Sequence, residues 1–240
     1  MLATSELAVV SELEAGREVR LWCASLDAHS ELQEELHGSL SPDECRRAQT
    51  LPDAAKAAIF RQSRAILRLV LSRVIAKADA TPAQLRFNYN RDGKPSLGGE
   101  FAELGIEFNL SHARSVVLIA VTQGRRVGVD VAWTKGATPV ERIVRRFFSS
   151  VEREAFEAAA DEVRRELFTR IWVRKEAYLK GRGEGISQWM YSTDFSRLPP
   201  GDARPAGGAA MSDQDRWELR DVAGLPPEYV GSVALERRSA

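Results

Sequence analysis

Trp172-Val173-Arg174-Lys175-Glu176-Ala177-Tyr178-Leu179-Lys180-Gly181 decides how the rest of this chain is read. On a helix, Trp172, Glu176 and Lys180 fall at i, i+4 and i+8 and share one face. Taken alone, the stripe also reads as an exposed Glu–Lys pair beside a packed Trp. Two upstream segments make it diagnostic: Asn109-Leu110-Ser111-His112 and Gly128-Val129-Asp130-Val131. Asp130 stands at the end of an expected strand, with a glycine close before it. Asp130 and Glu176 together suit Mg²⁺, a hard cation that keeps waters and completes its shell with substrate phosphates. Lys94, Lys175, Lys180 and His112 supply positive charge around such phosphates. The chemistry this set predicts is Mg²⁺-dependent phosphoryl or phosphodiester transfer.

Outward from that stretch, the helix carrying it is expected from about Glu162 to Lys180, stopped by Gly181 and Gly183. Ser149 with Glu152, and Ser41-Pro42-Asp43-Glu44, each form a capping box that opens a helix. Between Lys56 and Ala78 the residues Ile59, Ile66, Leu67, Val70, Leu71, Val74 and Ile75 recur at helical spacing. Strands are expected at Val19–Leu26, Phe108–Leu110, Val116–Thr122, Val127–Ala132, Ile186–Phe195, Trp217–Leu219 and Tyr229–Leu235. Residues 111–115 are read as the loop between two of them. Asn90–Pro95 and Gly98-Gly99 are turns, and Leu198–Gly208 is a Pro/Gly/Ala-rich loop. Helices and strands do not alternate as βαβ units, so the class is α+β. A short echo, Arg64-Ala65-Ile66-Leu67 against Glu176-Ala177-Tyr178-Leu179, hints at a duplicated half.

Composition narrows the function classes. With 34 basic and 34 acidic residues the net charge is zero, which excludes bulk nucleic-acid binding as the expected role. No apolar run approaches a membrane span, and Met1–Glu6 lacks the basic start of a signal peptide. A cytoplasmic protein with two reduced thiols, Cys23 and Cys45, is the expectation. Only six of the 34 basic residues are lysines, and three of the six, Lys94, Lys175 and Lys180, lie in the motifs above. That placement asks for a compact ammonium where a guanidinium fork would not serve.

The ordered set resembles the surfactin-synthetase type of 4′-phosphopantetheinyl transferase. Its pieces are Gly93-Lys94-Pro95, Phe108–Ala113, Gly128–Val131, Phe147-Phe148-Ser149 with Glu152, Trp172–Lys180 and Gly183–Ile186; Ser41-Pro42, Arg46-Arg47 and Arg64 also fit. The resemblance implies transfer of the 4′-phosphopantetheine arm of coenzyme A to a serine of an apo carrier protein, releasing adenosine 3′,5′-bisphosphate and requiring Mg²⁺. Acyl, peptidyl and polyketide carriers, hence fatty-acid or secondary-metabolite biosynthesis, are the partner class. It implies a pseudo-two-fold pair of α+β halves, here 1–122 and 123–240, with the site in the cleft between them; a monomer suffices.

By the same resemblance, Asp130 and Glu176 hold Mg²⁺, and Glu176 is the candidate base for the serine. His112, after Ser111, bonds a pyrophosphate oxygen, Lys180 offsets charge there, and Lys175 is a second phosphate contact. Arg64 and Arg47 grip the 3′-phosphate, while Gly93, Lys94 and Pro95 border adenine and ribose. One departure stands out: the family reads Asp-x-Glu where this chain has Asp130-Val131-Ala132, which predicts weaker Mg²⁺ binding. The alternative reading is a non-catalytic homologue that binds coenzyme A or carrier proteins. Arg142, Arg145 and Arg146 read as a solvated face or as a docking patch for acidic carriers.

Overall fold

Strand β6 (Val116–Gln123) is the layer from which the architecture is built. Its side chains alternate between two cores, as a period-two backbone requires. Val117, Ile119 and Val121 join one core, and Val116, Leu118 and Ala120 join the other. Because both faces are covered, the strand is a continuous apolar run and not an alternating one. The structure is a computed structural model that describes residues 10–13, 18–26, 38–75, 80–136, 139–184, 193–195 and 216–238.

Around β6 stand β1 (Val10–Leu13), β2 (Val19–Ser25) and β5 (Ile106–Ala113), in the order β1-β2-β6-β5, all antiparallel. One face of this sheet is covered by α2 (Ala54–Ile75), whose Leu67, Val70 and Leu71 pack with Trp22, Phe108 and Ile119. α1 (Pro42–Gln49) precedes it, opened by the expected Ser41–Glu44 capping box. A hairpin of β3 (Arg86–Tyr89) and β4 (Pro95–Gly98) lies beside it.

The other face meets a second antiparallel sheet, ordered β7-β9-β8, from β7 (Val127–Trp133), β8 (Trp217–Asp221) and β9 (Tyr229–Glu236). Val127, Val129, Val131, Val233 and Leu235 face the first sheet. Ala234, Trp217 and Leu219 face away, against Ala177, Tyr178 and Leu179 of α5 (Asp161–Arg182). The layers therefore run helix, sheet, sheet, helix, an α+β arrangement. α3 (Val140–Phe147) and α4 (Ser150–Ala158) close one end through Val144, Phe148, Phe156 and Phe168. Arg142, Arg145 and Arg146 are exposed on α3.

One expectation changes and two others fall largely or wholly outside the described residues. Residues 111–113 are not loop: β5 continues to Ala113, paired with Val116, leaving only Arg114-Ser115 as the turn. Arg114 takes the left-handed φ of 48° that such a tight hairpin favours. The polar Ser-His pair interrupts the apolar pattern because this strand edge lines a cleft. The strand expected at Ile186–Phe195 falls mostly outside the described residues, and 193–195 carry no strand. The loop expected at Leu198–Gly208 lies outside them as well. Among the described residues no helix is long and apolar enough to cross a membrane.

Candidate active site

The site forms where the outer edges of the two sheets meet the C-terminal half of α5. Gly128 on β7 makes this possible: a Cβ there would lie 2.1 Å from both the Ala177 carbonyl oxygen and the Gly181 nitrogen. Strand and helix touch backbone to backbone, so Asp130, two residues on, reaches α5 directly. The open edge of β7 is satisfied by Asn109, whose Oδ1 accepts from the Val129 N–H at 2.9 Å. That bond keys β5 to β7 and brings Ser111 opposite Asp130.

A compact triangle results. Ser111 Oγ donates to Asp130 Oδ1 at 2.6 Å, and Lys180 Nζ donates to the same oxygen at 2.6 Å and to Ser111 Oγ at 2.9 Å. Asp130 and Ser111 are buried while Lys180 is half-buried. His112 points from β5 to the solvent side of the same wall. Loss of water in the cleft lowers its pKa, Lys180 adds to that, and Asp130 opposes it. Neutral imidazole is then the form that donates to or accepts from a ligand oxygen.

Glu176 sits one turn before Lys180. Burial, and then the Asp130 carboxylate, push its pKa up to about 7, with Lys180 pulling the other way. Its Oε1 is buried with no hydrogen-bond partner. An orphaned carboxylate oxygen beside a second carboxylate is a costly arrangement unless a cation or proton joins it. The pair fits a small hard cation. Among the described residues no three His, Cys, Asp or Glu side chains gather into a metal cluster. A cation there would complete its shell with water and phosphate oxygens.

Two cavities share Asp130. The larger, of about 630 Å³, is lined by Arg64, Gly93, Lys94, Pro95, Ser111, His112 and Lys180, which the sequence proposed, and runs between the β3–β4 hairpin of the N-terminal half and α5. The smaller, of about 350 Å³, lies on the other side of Asp130 and is lined by Ala132, Glu176, Trp172, Trp133, Arg114 and Arg165. The stripe of Trp172, Glu176 and Lys180 thus faces the cleft as its spacing predicts. Ala132 shares the smaller cavity with Asp130 and Glu176, as expected for residues two apart on a strand.

Two candidate residues stand elsewhere than proposed, and a third turns its charge away from the cavity. Lys175 is fully buried: its Nζ is 2.8 Å from Glu152 Oε2 and donates to the Thr193 carbonyl at 2.7 Å, so it is not a phosphate contact. Burial pushes its pKa down and that of Glu152 up, the signature of a dry ion pair. Arg47 is exposed on α1 and does not line either cavity. Lys94 lines the large cavity, yet its ammonium is engaged by backbone carbonyls. Arg64 lines the large cavity, buried among Phe60, Phe87 and Tyr89, donating to the Tyr89 hydroxyl and 3.5 Å from Glu44.

The sequence reading also missed Lys56, Ser63, Asp92 and Glu184 in the wall of the large cavity. Lys56 carried a signal, being one of only six lysines. Glu184 lay within the Gly183–Ile186 piece but drew no role there, and Ser63 and Asp92 carried no signal, since Ser and Asp at turns and helix faces are common.

Comparison with known proteins gives the family. Residues 126–234, which hold Asp130, Glu176 and Lys180, match the family described as the 4′-phosphopantetheinyl transferase superfamily. The chain is 37% identical over 171 residues to 4′-phosphopantetheinyl transferase HetI of Nostoc sp., covering 71% of each protein. It is 31% identical over 156 residues to 4′-phosphopantetheinyl transferase AcpT of Salmonella typhimurium, covering 63% of this chain and 76% of that one. An L-aminoadipate-semialdehyde dehydrogenase-phosphopantetheinyl transferase of Eremothecium gossypii is 32% identical over 161 residues, 62% of this chain and 57% of its own length.

Proposed function

The chain belongs to the 4′-phosphopantetheinyl transferase superfamily, and from that premise we propose that it moves the 4′-phosphopantetheine arm of coenzyme A onto a serine of an apo carrier protein. Adenosine 3′,5′-bisphosphate is the leaving product. The single observation that carries this reading is the Asp130–Lys180–Ser111 triangle beside the orphaned Glu176 carboxylate, at the junction of two cavities. One cavity suits the nucleotide end of the donor and the other suits the acceptor side. The surfactin-synthetase type is favoured because one chain supplies both walls, residues 1–122 with Arg64 and residues 123–240 with Asp130 and Glu176.

In this reading the serine hydroxyl attacks the phosphorus bearing the pantetheine arm, and the bond to the bisphosphate oxygen breaks. Glu176 accepts the hydroxyl proton, a task for which a pKa of about 7 is matched to neutral pH. Lys180 and His112 bond the pyrophosphate oxygens on which charge grows. Arg64, with donors left over from Tyr89 and Glu44, binds the 3′-phosphate, and Lys56 stands on the same wall. Mg²⁺, held by Asp130 and Glu176, would neutralise pyrophosphate charge.

Incubation with coenzyme A, Mg²⁺ and an apo carrier, followed by intact mass, tests the reading. The expected result is a gain of one phosphopantetheine arm that needs both the metal and the target serine. No gain across several carrier types, with coenzyme A still bound, would select a non-catalytic binding homologue instead.

Ala132 offers a second test. Replacing it with Glu adds a carboxylate to the cavity wall that already holds Asp130 and Glu176. Ala132→Glu should lower the Mg²⁺ concentration for half-maximal transfer about tenfold, because ligand charge count tunes divalent affinity. An unchanged Mg²⁺ dependence would mean that the position does not face the cation.

A further inference from the structure

Lys94 is one of six lysines, sits in the wall of the nucleotide cavity, and does not aim its charge into it. Its Nζ donates to the Val127 carbonyl at 3.0 Å and to the Gly181 carbonyl at 2.9 Å. The first is where β7 begins; the second is in the last turn of α5. Carbonyls in a last turn have no partner within their own helix, and a cation beside them also answers the negative end of the helix dipole.

Asn90, at the other side of the same hairpin turn, reaches the same helix end. Its Nδ2 donates to the Gly183 carbonyl at 2.9 Å, while its Oδ1 accepts from the Asp92 and Lys94 amides at 3.0 and 2.8 Å. One side chain thus shapes the turn and anchors it. Gly183 is left-handed, with φ of 76°, and a Cβ there would lie 3.0 Å from Asn90 Nδ2. The fit between turn and helix end is therefore close on both sides.

We infer that Lys94 is a positioning residue, an ammonium clamp that caps α5 from the N-terminal hairpin and so fixes the nucleotide-binding wall against the helix carrying Glu176 and Lys180. Asn90 is its companion. Without the clamp, Asp92, Gly93 and Pro95 would leave the position in which they line the cavity, and a ligand would have to recruit the closed wall from a smaller population. Burial pushes the Lys94 pKa down to about 8, with Glu107 and Glu236 raising it and Arg126 lowering it, which fits an ammonium enclosed by protein.

The clamp stands on geometry alone; only the choice of ligand rests on the coenzyme A reading. Lys94→Met keeps the stem and removes both donors, and Asn90→Ala removes the companion contact. Two readouts are needed: amide exchange over residues 86–98 and 179–184, and calorimetric binding of coenzyme A, 3′-dephospho-coenzyme A and adenosine 3′,5′-bisphosphate. Loss of charge-assisted bonds worth roughly a factor of ten in the closed population should speed exchange in both segments and weaken all three ligands by the same factor, about tenfold. The double variant should add little to Lys94→Met, because the clamp is already open.

A loss confined to ligands that carry one particular phosphate would overturn the inference and make Lys94 a direct contact. Unchanged exchange in Lys94→Met and in Asn90→Ala would overturn it too. If the parent protein bound none of the three ligands, the coenzyme A reading would fail, while the exchange comparison would still decide the clamp.

Discussion

Replacing Glu176 with Gln should abolish transfer and, in the absence of divalent cations, make the protein more stable above pH 7. The two effects have one cause. Burial and the neighbouring Asp130 raise this carboxyl from 4.5 to about 7, so the folded chain keeps a proton that the unfolded chain has released. Between those values the unfolded state binds fewer protons, and stability falls as pH rises. Glutamine carries no charge to bury. At pH 8 the variant should gain roughly 2 kcal/mol, less than the full shift gives because the side chain keeps a solvent-facing edge. At pH 4 the carboxyl is protonated in both states and the gain should vanish.

Turnover should fall about a thousand-fold, since an amide cannot accept the serine proton and offers a cation no negative charge. Thermal unfolding at the two pH values, with the carrier-mass assay alongside, measures both effects. A stability gain equal at pH 4 and pH 8 would show that the carboxyl is not the strained group. Retained turnover would remove Glu176 from the chemistry. Added Mg²⁺ should stabilise the parent protein at pH 8 and leave the variant unmoved.

What the sequence could and could not show is clearest on α5. The helix itself, its stop at Gly183 and the cleft-facing row of Trp172, Glu176 and Lys180 all follow from spacing and capping, but Gly181, expected as a stop too, lies inside the helix. Lys175 was misplaced although helical geometry speaks against it. It precedes Glu176 by one residue, about 100° around the axis, and so cannot share that row. The partner that engages it, Glu152, was visible as half of a capping box and as a motif residue, with no sign of the ion pair; the structure gives that carboxylate both tasks at once.

Lys94 is a different case. Its turn was legible, but the direction of a four-carbon stem is settled by which carbonyls lie within reach, and those belong to β7 and α5. Asn109 likewise appeared as a motif residue with no role, because the open edge it closes exists only once the two sheets are stacked. Pattern thus fixes local elements and faces, while the assignment of polar groups to partners needs the tertiary arrangement.

Gly128→Ala should be among the most damaging single changes in the chain. The added methyl would meet the Ala177 oxygen and the Gly181 nitrogen at 2.1 Å and the Gly181 Cα at 2.6 Å. All three are backbone atoms, so no side chain can rotate away, and β7 and α5 must separate. Gly181 is itself closely hemmed, since a Cβ there would lie 2.5 Å from the Trp217 ring and 3.2 Å from the Gly128 nitrogen. Overpacking of this kind costs about 3 kcal/mol or more, roughly 10 °C in melting temperature for a chain this size.

Gly124→Ala is the matched control. That glycine is left-handed, with φ of 67°, whereas Gly128 is not, and a Cβ at Gly124 meets nothing within 4 Å. Its loss should be limited to the strain of a left-handed residue, about 1 kcal/mol. If the two variants melt alike, strand and helix accommodate the methyl cheaply and close approach does not explain the glycine before Asp130. If Gly128→Ala alone collapses, the molecules that remain folded should also have lost transfer, because the 2.6 Å contact between Asp130 and Lys180 spans the same interface that the methyl forces apart.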